Sequence, residues 1–228
     1  MTDRLGRDEM GARTPDEIVE RTEAYVRGAI GADSSGHDWW HAARVRSLAL
    51  HIAREEGADK RVVELAALLH DVADEKVTGD PDSAPAAARA WLTSLGVAAP
   101  VVDAAAAIVA AVSFHGAGVP DVPTSREGRC VRDADRLDAL GAIGIARAFA
   151  YGGHAGRPLH DPAGRPFLAG SREEYRAHAG STVDHFAEKL LLLADRMETA
   201  AGRRIAVRRD AFMREFLERF LREWSGEE

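Results

Sequence analysis

The amino-acid sequence predicts an all-α fold, a bundle of about seven to nine helices. In most segments apolar residues recur every three to five positions, which is the spacing of one helix face. No segment alternates apolar and polar residues with the β-branched enrichment that is typical of strands. Glycine and proline separate the helical segments, so the approximate ends of the helices can be predicted from the sequence.

The N-terminal region predicts a tail followed by one domain. Residues 1–15 mix Gly, Asp, Arg and Thr without a period, so we expect a loose tail before a single domain over residues 16–228. The segment Thr14-Pro15-Asp16-Glu17 supplies a cap, a proline in the first turn and two acids at the positive end of a helix dipole. The first helix is therefore expected to begin here.

The remaining helices follow from apolar periodicity between breakers. They are expected from Asp38 to Gly57, Asp59 to Asp74, Pro85 to Leu95, Val97 to Phe114, Thr124 to Ala150, Ser171 to Ala201, and beyond Gly202 to about Trp224. The helix from Asp59 to Asp74 is apolar around much of its circumference, which is typical of a central helix. The segment at about 151–170 is rich in glycine and proline, so it is expected to be a long loop and is a hypothetical lid.

Composition and charge exclude several classes of protein. The formal net charge of −7 does not favour binding to nucleic acid or to an anionic membrane. The longest uncharged stretch, Ala104 to Pro120, is shorter than the roughly 20 residues of a spanning helix. A single cysteine, Cys130, allows no internal disulfide and is expected to be a buried small hydrophobe. We therefore expect a cytoplasmic protein.

Histidines and acids in three distant segments could carry chemistry. His41 follows Asp38, the pair His70-Asp71 ends an apolar run, and three aspartates lie between Arg132 and Asp138. Burying a carboxylate beside apolar residues is costly unless a cation pairs with it. Two imidazoles and two carboxylates form a mixed nitrogen and oxygen set that suits Mn²⁺, Fe²⁺, Zn²⁺, Co²⁺ or Ni²⁺. Singly, each histidine would more often be a packing residue, so the ordered set carries the hypothesis.

This ordered set resembles the pattern of the HD-domain metal-dependent phosphohydrolases: an isolated histidine, a helix ending in His-Asp, and a distant Ala-Asp-x-Leu. The block from Arg132 to Arg147 and the segment from Ser181 to Leu193 resemble a bacterial subgroup of small HD hydrolases, and the likeness covers roughly residues 16–224. It implies an all-α HD fold with one divalent cation, Mn, Mg, Co, Ni, Fe or Zn. The implied metal ligands are His41, His70, Asp71 and Asp135.

The resemblance also implies hydrolysis of a phosphate ester or anhydride in a small molecule. Members of the subgroup are associated with nucleotides, including nucleoside triphosphate pyrophosphohydrolysis. Two alternatives remain at this point: a 5′-nucleotidase or cyclic-nucleotide phosphodiesterase, and a metal-dependent nucleotide sensor that cleaves nothing. The oligomeric state is open, a homodimer included.

Further polar residues in the same blocks are candidates for catalysis and substrate binding. Asp74 and Glu75 follow His70 by about one turn, so either could position or activate the attacking water. Asp133 and Asp138 are expected to support or cap rather than to bind metal, and Trp39 and Trp40 are interpreted as packing residues. The candidate substrate-binding residues are Lys76, Arg44, His115, Arg147, His185 and Lys189, the last two expected on one helical face.

Overall fold

The structure, a computed structural model, describes residues 13–30, 38–73, 82–114, 116–178 and 180–227. In these residues the regular elements are helical and no residue lies in a β-strand, so the all-α prediction is confirmed. The helices are α1 (Pro15–Ile30), α2 (Trp39–Glu56), α3 (Lys60–Leu69), α4 (Ser83–Ser94), α5 (Ala99–Val112), α6 (Arg126–Asp138), α7 (Gly141–His154), α8 (Arg172–Ala177), α9 (Asp184–Glu188) and α10 (Ala200–Ser225). Two 3₁₀ turns, Leu190–Leu192 and Ala194–Arg196, lie between α9 and α10. Most of the predicted tail, residues 1–12, lies outside this set.

Helix α3 occupies the centre of the bundle, as its apolar circumference predicts. It contacts α1, α2, α5 and α6, and α2 in turn packs along α6. Its core-facing residues are almost completely inaccessible to solvent: Val63, Leu65, Ala66, Ala67, Leu68 and Leu69. Because α2, α3 and α6 are fixed by extensive apolar packing, the side chains that they carry or precede are held in a rigid frame.

The first helix begins at the predicted residues, and the second both begins and ends at them. At α1, the Glu17 carboxylate accepts from the backbone N–H of Thr14 at 2.7 Å, and the Thr14 hydroxyl accepts from the N–H of Glu17 at 3.3 Å. At α2, the Asp38 carboxylate accepts from the N–H of His41 at 2.9 Å. Gly57 ends α2 with φ of +67°, the left-handed backbone that favours glycine.

Two predicted boundaries near the middle of the chain are wrong. The third helix ends at Leu69 rather than at Asp74, because the chain turns at His70 and reaches a left-handed backbone at Ala73, with φ of +57°. The segment from Thr124 to Ala150 is two helices rather than one, because Gly141 adopts φ of +74° between α6 and α7. Helix α7 then continues to His154, so the long loop begins later than predicted.

The segment predicted as one helix from Ser171 to Ala201 consists of short helices and 3₁₀ turns. Local side chains cap these pieces: the Ser181 hydroxyl donates to Asp184 at 2.7 Å and accepts from the Asp184 N–H at 3.1 Å. Gly202 does not separate two helices, since it lies inside α10. The Thr199 hydroxyl accepts from its N–H at 2.9 Å, and a Cβ there would overlap with the Asp133 carboxylate.

The two adjacent tryptophans of α2 behave differently. Trp39 is buried, as a packing residue should be, whereas Trp40 is 63% exposed, so the packing interpretation is wrong for Trp40. The reason is the helix itself, since consecutive residues point about 100° apart around its axis. Cys130 is completely buried, as predicted. Among the described helices, none combines the length and the hydropathy that a membrane crossing needs.

Candidate metal centre

Four of the predicted side chains converge from three helices. The His41 Nε2 atom lies 3.2 Å from Nε2 of His70 and 3.2 Å from Oδ2 of Asp71. Oδ1 of Asp135 completes the cluster, 3.5 Å from Nε2 of His41 and 3.8 Å from Nε2 of His70. His41, His70 and Asp71 each offer a ligand atom within 4.8 Å of the others, so they could hold a metal ion.

The helices explain why residues so distant in sequence meet here. His41 lies in the first turn of α2, where the Asp38 cap fixes the backbone. His70 and Asp71 directly follow the buried helix α3, and Asp135 lies on α6, which packs along α2. The histidines are buried, whereas the side chain of Asp135 is 30% exposed. The cluster is therefore closed at its imidazoles and open to solvent at one carboxylate.

Hydrogen bonds fix which nitrogen of each imidazole carries the proton. Nδ1 of His41 lies 2.7 Å from Oδ2 of Asp138, and Nδ1 of His70 lies 2.8 Å from the carbonyl oxygen of Ala67. Both partners can only accept, so both Nδ1 atoms donate. In each neutral ring the Nε2 atom then has a lone pair, and the two lone pairs face each other and the two carboxylates.

This donor set fits a divalent cation. When both rings are neutral, four acceptors face one another without a hydrogen between them, so a positive charge between them is stabilising. Ligand atoms about 2.0–2.2 Å from an ion lie about 2.8–3.6 Å apart in octahedral or tetrahedral geometry, which is close to the separations found here. A mixture of imidazole and carboxylate does not select one transition metal over another.

Asp138 lies behind the cluster and binds three cationic or proton-donating side chains. Arg44 donates from Nε to Oδ1 at 2.7 Å and from Nη2 to Oδ2 at 3.0 Å, and Arg147 donates from Nη1 to Oδ2 at 2.9 Å. Burial raises the pKa of Asp138, but the hydrogen bonds from His41 and Arg44 outweigh it and hold the pKa below its ordinary value. The carboxylate is therefore ionised at neutral pH.

The same contacts act on His41 in the opposite direction. Burial lowers the pKa of this imidazole, but its hydrogen bonds to Asp138 and Asp71 outweigh burial and raise the pKa to about 9. The site thus attracts positive charge, whether a proton or a metal ion. A metal ion binding to Nε2 must displace the proton that this environment favours.

Several predicted site residues are not part of the described cluster of metal-binding side chains. Asp74, Glu75, Lys76 and His115 lie outside the described residues, so their roles stay predictions. The guanidinium groups of Arg44 and Arg147, which the sequence suggested for substrate phosphates, contact Asp138 directly. Arg44 keeps a one-third exposed side chain, and the substrate-binding role of both arginines also stays a prediction.

His185 and Lys189 lie in another part of the described chain. They do not share a helical face as predicted, because α9 ends at Glu188 and Lys189 leaves it with φ of −139°. The Lys189 Nζ atom lies 5.2 Å from the ring centre of Phe114. His185 is half-buried, and burial, together with the charges of Lys189 and Arg157, lowers its pKa to about 3.

The supporting role expected of Asp138 agrees with its contact to His41, whereas the cap that Asp38 forms on α2 was not predicted. Each lies three residues from a predicted ligand, Asp38 before His41 and Asp138 after Asp135. For Asp38, that spacing at a predicted helix start is the signal that could have revealed the cap. An acid three residues before a helical histidine caps its helix, and acids three apart share one helix face.

Comparison with known proteins matches the segment of chain that carries these residues. The model of the HD domain family matches residues 39–140. The Bacillus subtilis protein YpgQ is 36% identical over 209 residues, which cover 91% of this chain and 94% of YpgQ. The crystal structure of YpgQ in complex with ADP matches with a TM-score of 0.71 at 32% identity, covering 92% of this chain and 95% of that one.

Two other crystal structures extend the comparison. A Lactobacillus plantarum protein matches with a TM-score of 0.83 at 38% identity, covering 92% of this chain and 98% of the other. An HD-superfamily hydrolase from Bacillus thuringiensis matches with a TM-score of 0.72 at 39% identity, covering 93% and 99%. With the family match lying on the segment that supplies all four clustered side chains, the chain belongs to the HD superfamily and is a metal-dependent hydrolase.

Proposed function

We propose that this protein is a nucleotide phosphohydrolase of the nucleoside triphosphate pyrophosphohydrolase type. The observation that carries the proposal is the convergence of two imidazoles and two carboxylates on one point, with Nε2 to oxygen distances of 3.2–3.8 Å. In the proposal His41, His70, Asp71 and Asp135 hold one divalent cation. Water and substrate approach from the side of Asp135, the more exposed carboxylate.

Charge supports a phosphate substrate at this position. With both imidazoles neutral, as metal binding requires, three aspartates and two arginines among the described residues leave the centre with one negative charge: Asp71, Asp135, Asp138, Arg44 and Arg147. A divalent cation held by these residues would reverse that sign, and it would supply polarisation of a phosphoryl oxygen and activation of water near neutral pH. An anionic substrate is then attracted locally, although the whole chain carries −7.

We assign the remaining roles from the amino-acid sequence. We assign water orientation to Asp74 or Glu75, and phosphate neutralisation to Lys76 with help from other cations. Positioning and electrostatics supply most of the catalysis in phosphoryl transfer, so no covalent nucleophile is needed. Arg44 is the best placed of the described cations, because a third of its side chain stays exposed beside the cluster.

A nucleotide is favoured over other phosphate compounds by one relative. YpgQ, 36% identical to this chain, has been crystallised in complex with ADP. The diphosphate of such a ligand presents the oxygens that a divalent ion and guanidinium groups bind. The proposal places the reaction in the cytoplasm and in one domain, residues 16–228, without nucleic-acid or membrane partners.

The test is a nucleotide panel with separate detection of products. Purified protein is incubated with nucleoside triphosphates, monophosphates and cyclic monophosphates in Mn²⁺, Mg²⁺, Co²⁺ or Ni²⁺, and pyrophosphate and orthophosphate are measured independently. We expect pyrophosphate and a nucleoside monophosphate. Orthophosphate from monophosphates would instead identify a 5′-nucleotidase, and ring opening a phosphodiesterase. Tight binding without turnover in any metal would identify a sensor.

A further inference from the structure

We propose that Asp138 is a positioning residue that sets the metal affinity of the centre through His41. The inference rests on the proposed metal site and concerns a residue that contacts neither the ion nor the substrate. Asp138 is almost completely buried, and its Oδ2 lies 2.7 Å from Nδ1 of His41. That nitrogen is on the opposite side of the ring from Nε2, the proposed ligand atom.

The carboxylate of Asp138 is fixed in orientation by the two arginines. Arg44 binds both of its oxygens, through Nε and Nη2, and this bidentate contact defines the plane of the carboxylate. Arg147 donates to Oδ2 from a different helix, α7. The carboxylate cannot rotate without breaking these bonds, so the direction in which Oδ2 accepts from His41 is also fixed.

Two effects on metal binding follow from this arrangement. The hydrogen bond keeps the proton on Nδ1, so that Nε2 presents its lone pair to the cluster, and it holds the ring in one orientation. The negative charge of Asp138 also makes Nε2 a stronger donor to a cation. Removing such an outer carboxylate typically weakens metal affinity by about 10- to 100-fold.

Helix α6 offers a matched control in Asp133. This carboxylate is as deeply buried as Asp138, but it accepts from Thr199 N–H at 2.8 Å, from the Thr199 hydroxyl at 2.7 Å and from the Glu198 N–H at 2.9 Å. These contacts cap α10 rather than orient a metal ligand. Replacing either aspartate removes a buried charge from the same helix, and only Asp138 contacts the cluster.

The experiment compares Asp138→Asn and Asp133→Asn by titration of metal-free protein with Mn²⁺ in a calorimeter, with thermal unfolding measured separately. We expect Asp138→Asn to weaken Mn²⁺ binding by about 10- to 100-fold. We expect Asp133→Asn to lower the Tm while Mn²⁺ affinity stays within about twofold of wild type. A wild-type affinity in Asp138→Asn, or an equal loss in both variants, would overturn the inference.

A second variant separates a loss of metal affinity from misfolding. Asp138→Asn leaves two guanidinium groups without their carboxylate, and Arg44→Gln in the same chain removes one of those charges. The double variant is expected to fold and to show the same weak Mn²⁺ binding, and wild-type affinity in it would also contradict the inference. If the wild-type protein itself binds no Mn²⁺ or other divalent ion, the proposed metal site fails, a result distinct from unchanged affinity in the variants.

Discussion

The metal cluster and the segment 171–199 are both polar regions built around buried side chains, but they are constructed differently. The cluster joins residues far apart in sequence: His41 and His70 are separated by 29 positions, and His41 and Asp138 by 97. In the segment many contacts are local: Asp184 binds Ser181 three residues away, and Glu188 binds His178 ten residues away. Longer-range contacts join its last residues to α6, where Asp133 accepts from the N–H groups of Glu198 and Thr199.

The comparison teaches which substitutions change chemistry and which change folding. At the cluster, packed helices hold the backbone in place, and the polar side chains on or beside these helices face one another. In the segment 171–199, the polar contacts themselves define the short helices and turns, together with a few apolar anchors such as Phe186. We therefore expect the cluster to lose function without losing its fold, and the segment to lose stability first.

The largest expected effect is the loss of metal and turnover in His70→Ala or Asp71→Ala. Each removes one of four proposed ligands, while the apolar residues of α3 that hold the frame stay in place. Metal content measured by mass spectrometry and hydrolysis of the best nucleotide should both fall to background, with an unchanged circular dichroism spectrum. His51→Ala is the control, because this α2 histidine is half exposed and pairs with Glu55 outside the cluster. Retained metal and full activity in both ligand variants would end the metal assignment.

The second largest expected effect is a loss of stability when the segment 171–199 loses its apolar anchor. Phe186 is completely buried and its ring centre lies 6.1 Å from those of Phe149 and Phe216. Phe186→Ala should lower the free energy of unfolding by about 3–5 kcal/mol in urea titrations, because it leaves a cavity in a close-packed core. Phe212→Ala, at a 48% exposed ring of α10, should cost far less. Equal losses would show that the segment is not anchored by Phe186.

The smallest expected effect is a change in the pH dependence of stability in His185→Gln. The folded pKa of His185 is about 3, below its ordinary 6.5, so below pH 6.5 the unfolded chain binds a proton that the folded chain does not. Wild-type stability should therefore decline as the pH falls, with a contribution from this group of about 1–2 kcal/mol between pH 7.5 and 5.0. The variant should lose that much less in denaturant titrations over the same interval. Parallel declines in both proteins would contradict the buried, neutral histidine.

The convergence of the four cluster residues could be predicted from sequence because their types and order resemble the pattern of the HD-domain phosphohydrolases. A histidine, a His-Asp pair after an apolar helix and a distant aspartate are chemically unusual together, and each lies on or beside a helix with strong periodicity. Contacts made by long side chains could not be predicted in the same way. Arg44 and Arg147 can extend in several directions, and only the packed helices decide that they meet at Asp138.

Helix interruptions were the least predictable feature, for a local reason. The run from Ser171 to Ala201 has helical periodicity, but the hydroxyls of Ser181 and Thr199 accept from backbone N–H groups three residues on, and Thr199 caps α10. Gly202 would usually mark a helix end, yet it lies in the first turn of α10, where the lack of a side chain admits Asp133. Local hydrogen bonds decide against the periodicity in the first case, and a tertiary contact does so in the second.

The break at Gly141 has an electrostatic consequence. On an uninterrupted helix, residues nine positions apart are about 13 Å apart along the axis and on opposite sides of it, so Arg147 could never reach Asp138. The left-handed backbone at Gly141 redirects the chain, and their side chains come within 2.9 Å. Glycine adopts this left-handed backbone easily because it has no side chain. Gly141 thus allows the positive charge of Arg147 to lie beside Asp138, behind the imidazole of His41.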